Sequence, residues 1–167
     1  PGEVDLTVII VPAKIVPSLM EEAVAKKVKT AIIITAGFKE VGNKDLEDQV
    51  ITIAAKGGIR ILGPNCLGVY YSKTGIDTLF LPETKTLTTG EEVVATPRPL
   101  PGNIAMVTQS GAFGVAALDY LTGRQMGVSK FVSFGNKSDV AESDIIDYLL
   151  HDEETKVILV YLEDVKN

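Results

Sequence analysis

Apolar residues fall along this chain in two alternating rhythms, short unbroken runs and longer stripes at helical spacing. "VDLTVIIV" (Val4 to Val11) is an almost continuous apolar run rich in β-branched residues, bounded by Pro-Gly before it and Pro12 after it, the pattern of a buried strand. "PSLMEEAVAKKV" (Pro17 to Val28) sets Leu19, Met20, Ala23, Val24 and Val28 on one stripe, with Pro17 in the first turn, where a missing N–H is tolerated. That spacing predicts an amphipathic helix. "TAIIIT" (Thr30 to Thr35) predicts a second buried strand, Asn43 to Lys56 a helix with Leu46, Val50, Ile53 and Ala54 facing inward, and "IRILG" a third strand. Strands alternating with helices in this order predict an α/β fold with parallel strands and crossover helices. The block opens directly on a strand and shows no Gly-rich first loop, so it reads as the later portion of a doubly wound unit.

Tyr71 to Gly102 breaks the rhythm: it holds Pro82, Pro97, Pro99 and Pro101 with several Thr and Gly and has little periodicity, which predicts an irregular connector near a domain boundary. Alternation then resumes with a strand at "NIAMVT", a helix from about Gly111 to Gln125, a strand at "KFVSFG", a helix from about Glu142 to Leu150 and a strand at "KVILVYL". The expected organisation is a first block over 1–68, a connector over 69–102 and a second, also partial, block over 103–167.

Composition narrows the function classes. With 46% hydrophobic residues, 23% charged residues and a mean hydropathy of +0.22, the 167-residue chain has ample material for a packed core. Its 22 acidic residues outnumber 16 basic ones, giving a net charge of −6, and no Lys/Arg run is present, which argues against nucleic acid as a partner. The lone cysteine, Cys66, forms no internal disulfide, no leader-like segment opens the chain, and no apolar run approaches the ~20 residues of a membrane span. A cytoplasmic protein away from membranes is expected. Two partial sheets would expose strand edges and apolar faces, so association into an oligomer is expected as well.

Ligands of open α/β sheets bind where strands end and loops lead into helices. The corners here are "VPAK" (Val11 to Lys14), "TAGFKE" (Thr35 to Glu40), "GPNCLG" (Gly63 to Gly68), "TQSGAFG" (Thr108 to Gly114) and "SFGNKSD" (Ser133 to Asp139). At the fourth, a strand ending at Thr108 and a helix starting near Gly111 leave backbone N–H groups without partners, Ser110 adds a hydroxyl, and Gly111 allows close approach of an anion. Ser110 acting only as a helix cap is the alternative the residues leave open. Cys66 has no histidine or cation within sequence reach and reads as a buried thiol. His151, the single histidine, sits at the end of a helix before Asp152, Glu153 and Glu154, which read as a solvated helix end; no metal-ligand set is apparent.

Taken in order, "VPAK", "ITAGFKEVG", "IRILGPNCLGV", "VTQSGAFG", "SFGNKSDV" and "VILVYLED" resemble the NDP-forming acyl-CoA synthetases, especially the ADP-forming acetyl-CoA synthetases related to the succinyl-CoA synthetase alpha subunit. The resemblance implies a Rossmann-like CoA-binding domain followed by a flavodoxin-like ligase domain. It implies conversion of an acyl-CoA, phosphate and ADP into an acid, CoA and ATP through an acyl phosphate and a phosphohistidine. It further implies CoA contacts at Val11, Pro12, Ala13, Lys14, Thr35, Ala36 and Gly37, and phosphate contacts at Asn65, Cys66, Ser110, Gly111, Ala112 and Asn136. Glu163 is implied to orient the histidine. The family's reactive histidine and first CoA loop have no counterpart among these residues, and ADP/ATP with Mg2+ is implied to reach the site through an ATP-grasp subunit or fused domain. This chain alone is expected to be inactive. A CoA- or acyl-CoA-sensing module of a protein acetyltransferase is the alternative, as is a structural piece that binds only a partner subunit.

Overall fold

Three runs of mostly apolar, β-branched residues, β1 (Leu6–Ile9), β2 (Thr30–Ile33) and β3 (Arg60–Leu62), pair in parallel in the order β1-β2-β3, with Val8 opposite Ile32 and Ala31 opposite Ile61. The computed structural model describes residues 2–165; Pro1 and residues 166–167, at the outer limits of the two expected blocks, lie outside the described residues. The crossovers are α1 (Val16–Ala25) and α2 (Lys44–Gly57). Both bury the predicted stripes: Met20, Ala23, Val50 and Ala54 are buried, with Leu19, Val24, Leu46 and Ile53 packed against the same core. Phe38, which follows β2, is fully buried among them.

The second block contributes β8 (Pro101–Thr108), α3 (Gly111–Gly123), β9 (Val128–Ser133), α4 (Glu142–Leu150) and β10 (Val157–Tyr161). In its sheet β8 lies between β10 and β9, and these three strands are parallel as expected. The rest differs from expectation. From Gly68 into the stretch expected to be an irregular connector, the chain forms β4 (Gly68–Tyr71) and β5 (Ile76–Asp77), which extend this sheet antiparallel beyond β9, and a separate exposed hairpin of β6 (Thr84–Thr86) and β7 (Glu92–Val94). β4 pairs Val69 with Val132, a partner more than sixty positions away, so four residues of alternation gave no local signal.

One face of each sheet meets the other block. Ile32, Ile34 and Leu62 from the first sheet share a cluster with Ala105, Val107 and Phe134 of the second block and with Ile145 and Leu149 of α4. Across the remaining face, Met106, Val128 and Phe131 pack against Leu118 and Leu121 of α3. Backbone hydrogen bonds then lace the blocks together: Asn136 N–H to Pro64 O at 2.8 Å, Ser138 N–H to Gly63 O at 3.0 Å and Val140 N–H to Ile61 O at 3.0 Å. Asp139 Oδ2 accepts from Arg60 Nε and from the Ile61 amide, each at 2.8 Å.

Asp152 and Glu154 correct another expectation. Rather than forming a solvated helix end, they flank the buried Lys130, whose Nζ donates to Asp152 Oδ2 at 2.6 Å and lies 4.3 Å from the centre of the Tyr71 ring. Burial opposes the lysine's charge, but Asp152, Tyr148 and Tyr71 together outweigh it and the Lys130 pKa is raised. Tyr71 stands beside Lys130 because β4 and β9 pair, which spacing along the chain does not reveal.

Candidate functional site

Residues following β2, β3, β8 and β10 converge on one cleft of about 610 Å³. Thr35 and Ala36 come from the end of β2, Asn65, Cys66 and Leu67 from the loop after β3. The second block supplies Gln109, Ser110, Gly111, Ala112 and, beyond β10, Glu163. Ser110, Gly111, Ala112, Asn65, Cys66 and Glu163 are therefore brought together.

At the start of α3 both roles read for Ser110 bear on the geometry. Its φ of −91° and ψ of 124° place it as the N-cap, and its Oγ accepts from the Phe113 amide at 3.3 Å while its carbonyl accepts from Gly114 N–H at 3.0 Å. The cap thus uses the third and fourth amides of the turn. Those of Gly111 and Ala112 take no protein acceptor among the described residues, and both residues line the cleft. The Phe113 ring stacks on Tyr161 with centroids 4.2 Å apart, fixing this helix end against β10. Two oriented N–H dipoles at the positive end of a thirteen-residue helix favour a bound anion.

Glu163 is exposed and lines the same cleft, and its carboxylate has no hydrogen bond or ion pair among the described residues. Its backbone is fixed by Gln109: the side-chain Oε1 accepts from Glu163 N–H at 2.9 Å and Asp164 N–H at 3.3 Å, while Nε2 donates to Asp164 Oδ1 at 2.6 Å. Asp164 in turn pairs with the buried Lys137 at 2.8 Å, which with Gln109 holds its carboxyl below the ordinary range. Gln109 belongs to the "TQSGAFG" corner, and its place beside Ser110 is the only sign of this role in the sequence.

Asn136 sits elsewhere than expected. It lines a smaller adjoining cleft of about 280 Å³, which shares Asn65, Gln109 and Glu163 with the first. Its Nδ2 donates to Glu40 Oε2 at 2.6 Å and Glu47 Oε2 at 2.9 Å, and its Oδ1 receives Asn65 Nδ2 at 3.4 Å. A side chain so engaged holds the two blocks together and has no donor left for a phosphate. Glu40 also accepts from the amides of Gly37 (2.5 Å) and Phe38 (3.1 Å). Burial raises its pKa, but the Asn136 and backbone donors outweigh that and hold the carboxyl below its ordinary value. Glu40 and Glu47 were not singled out from sequence, because each acts through a residue some ninety positions away.

The residues expected to contact CoA divide. Pro12, Ala13, Lys14 and Gly37 line a second large cleft, of about 650 Å³, together with Asn43 and Leu46. Gly37 has φ +111°, and a Cβ there would stand 3.2 Å from Ala13 Cβ, so only glycine keeps this wall open. Thr35 and Ala36 line the first cleft instead. The Thr35 hydroxyl is buried in a structural clip, accepting from Val11 N–H at 3.2 Å and donating to Val11 O at 2.8 Å, so neither Thr35 Oγ1 nor the Val11 backbone is open to a ligand.

Cys66 is 4% exposed, its thiol donates to Ile33 O at 3.3 Å, and burial pushes its pKa up to about 12. At neutral pH it is a neutral thiol, not a nucleophile. His151 caps α4 with its Nδ1 2.8 Å from Asp147 O and lines none of these clefts. No helix of the described residues is long and apolar enough to cross a membrane.

Set against known families, residues 1–72 match a CoA binding domain and residues 101–167 match a succinyl-CoA ligase like flavodoxin domain. An ADP-forming acetate–CoA ligase of Methanocaldococcus jannaschii is 42% identical over 165 residues, 99% of this chain and 21% of that protein. The alpha subunit of ADP-forming acetate–CoA ligase I of Pyrococcus furiosus is 40% identical over 169 residues, 100% of this chain and 34% of the subunit. A solved structure of the dinucleotide forming acetyl-coenzyme A synthetase 1 of Ca. Korarchaeum cryptofilum, in complex with phosphate and ADP, gives a TM-score of 0.88 at 37% identity, over 99% of this chain and 33% of that one. The chain thus spans between a fifth and about a third of the length of these relatives.

Proposed function

Because the chain belongs to the NDP-forming acyl-CoA synthetase family, we propose that it forms the CoA- and phosphate-contacting part of an ADP-forming enzyme acting on acetyl-CoA or a similar short acyl-CoA. Phosphate attacks the thioester carbonyl, the C–S bond breaks, and CoA leaves as its thiol with an acyl phosphate remaining. A histidine nitrogen then attacks phosphorus and releases the carboxylate. ADP, held with Mg2+ by an ATP-grasp domain or subunit, takes the phosphoryl group from that histidine to become ATP.

In this reading the Gly111 and Ala112 amides bind the phosphoryl oxygens, and the charge they stabilise is largest as phosphorus is transferred. The Glu163 carboxylate, free of protein partners and fixed at its backbone by Gln109, accepts the second ring N–H of the visiting histidine and holds the ring's orientation. His151 lies outside the clefts, so the nucleophile is supplied by another segment or subunit. CoA fits the groove beside Gly37, where the exposed Lys14 offers a cation for its phosphates.

The observation that carries this reading is the pair of unclaimed amides opening on the cleft that also holds Glu163. Titrating the isotope-labelled chain with inorganic phosphate should shift the Gly111 and Ala112 amide resonances before any others; shifts confined elsewhere overturn the assignment. In the complete enzyme incubated with acetyl-CoA and labelled phosphate, the acid-labile label should sit on a histidine other than His151. Label on His151 would refute the proposed site.

A further inference from the structure

Residues 78–81 form a strap between the two segments matched by the family domains, 1–72 and 101–167, and its Phe80 and Leu81 line the main cleft. The strap is anchored at both ends. Thr78 N–H donates to Val69 O at 2.9 Å, Leu79 N–H to Asp77 Oδ1 at 2.9 Å, and the largely buried Arg98 holds Leu81 O at 2.9 Å and Asp77 Oδ2 at 2.6 Å. Leu79 and Leu81 pack on the α3 side of the second core. Phe80, between them, is 49% exposed and lines the cleft.

The cleft has a polar and an apolar side. Asn65, Gln109 and Glu163 also line the adjoining smaller cleft, whereas Phe80, Leu81, Leu67 and Val115 do not, so the apolar wall lies away from the carboxylates. An acyl phosphate whose phosphoryl group rests on the α3 amides therefore finds apolar surface for its hydrocarbon at Phe80 and its neighbours, with Ile10 and Ile34 of the first block also on the cleft's lining. Directing it the other way would place an apolar tail beside Glu163 and Asp164.

We propose that Phe80 is a specificity-determining residue whose ring bounds the acyl end of the cleft and restricts the acid to short aliphatic chains. This rests on the acyl-CoA synthetase reading above. The backbone anchors make Phe80 a fixed wall, because enlarging the space by moving the strap would break the Arg98 and Thr78 hydrogen bonds. Bulk added to or removed from the ring changes the room for substrate directly.

The test compares binding of free CoA, acetyl-CoA and phenylacetyl-CoA to the complete enzyme by titration calorimetry. Phe80→Ala should shift the ratio of dissociation constants roughly tenfold toward phenylacetyl-CoA, as expected for a pocket that gains several carbons of space, and leave free CoA unchanged. Phe80→Trp should shift the ratio the opposite way. Being half exposed, position 80 tolerates both without unfolding, and the pair of opposite shifts separates a size effect from general loosening. An unchanged ratio in both variants, with thioesters still bound, overturns the role of Phe80 and leaves the enzymatic reading standing. Failure of the complete unaltered enzyme to bind CoA or either thioester overturns that reading, and this inference with it.

Discussion

Asn136 Nδ2 donates to Glu47 Oε2 at 2.9 Å, tying the loop after β9 to α2 across the boundary between the blocks, with both residues at least nine-tenths buried. Glu47 is also held by Ser138 Oγ at 2.5 Å and Lys39 Nζ at 3.5 Å. Replacing Asn136 by Ala removes donors from two carboxylates while the other contacts remain, and should cost about 2 kcal/mol in urea unfolding. Asn136→Asp sets a third carboxylate against Glu40 and Glu47 and should cost more than the alanine change.

Acid should reveal the same joint. Asn136 and the Gly37 and Phe38 amides hold the Glu40 pKa below its ordinary 4.5. A depressed carboxyl contributes stability that is present above the unfolded value and lost as pH falls below it toward the folded one. Asp152, held low by Lys130 against its burial, behaves likewise below 3.8. The unfolding midpoint measured against pH should drop through this range, and Asn136→Ala should show a shallower acid limb than the unaltered chain.

Gly135 has φ +52°, and a Cβ there would stand 2.2 Å from Asn65 O and 2.3 Å from Pro64 O. Gly135→Ala should therefore destabilise by at least about 3 kcal/mol, since neither backbone can yield without opening the seam. Thermal unfolding of the variant measures this.

Lys130→Ala leaves Asp152 without its cation in a largely buried position and should cost about 3–5 kcal/mol, read from denaturant unfolding. The raised Lys130 pKa contributes stability below its unfolded value of 10.5 that is lost only as pH rises through the folded one. The Lys130 contribution should therefore stay constant from neutral pH to pH 10.

The shift of Cys66 from 9.0 to about 12 lowers its thiolate fraction about a thousandfold near neutral pH. Alkylation by iodoacetamide should accordingly be slow in the folded chain and fast in urea. Rapid reaction of the native protein would contradict the burial.

Sequence patterning carried the alternating blocks, the helical stripes and the approximate span of α4, because these depend on local periodicity. It also brought Ser110, Asn65 and Glu163 forward as candidates, through corners and a family resemblance. It did not carry β4, which pairs at long range, nor the commitment of Asn136 to Glu40 and Glu47, nor Thr35 as a clip for Val11. In each of those cases a polar group's role is decided by which distant partner reaches it first. Phe80 was invisible for a related reason: in a Pro- and Thr-rich stretch no periodicity says which way a ring turns.

The backbone seam through Ile61, Gly63 and Pro64 makes the junction stiff in shear, since sliding one sheet past the other would break several main-chain bonds at once. The walls of the main cleft, drawn from both blocks, therefore keep their spacing whatever enters between them.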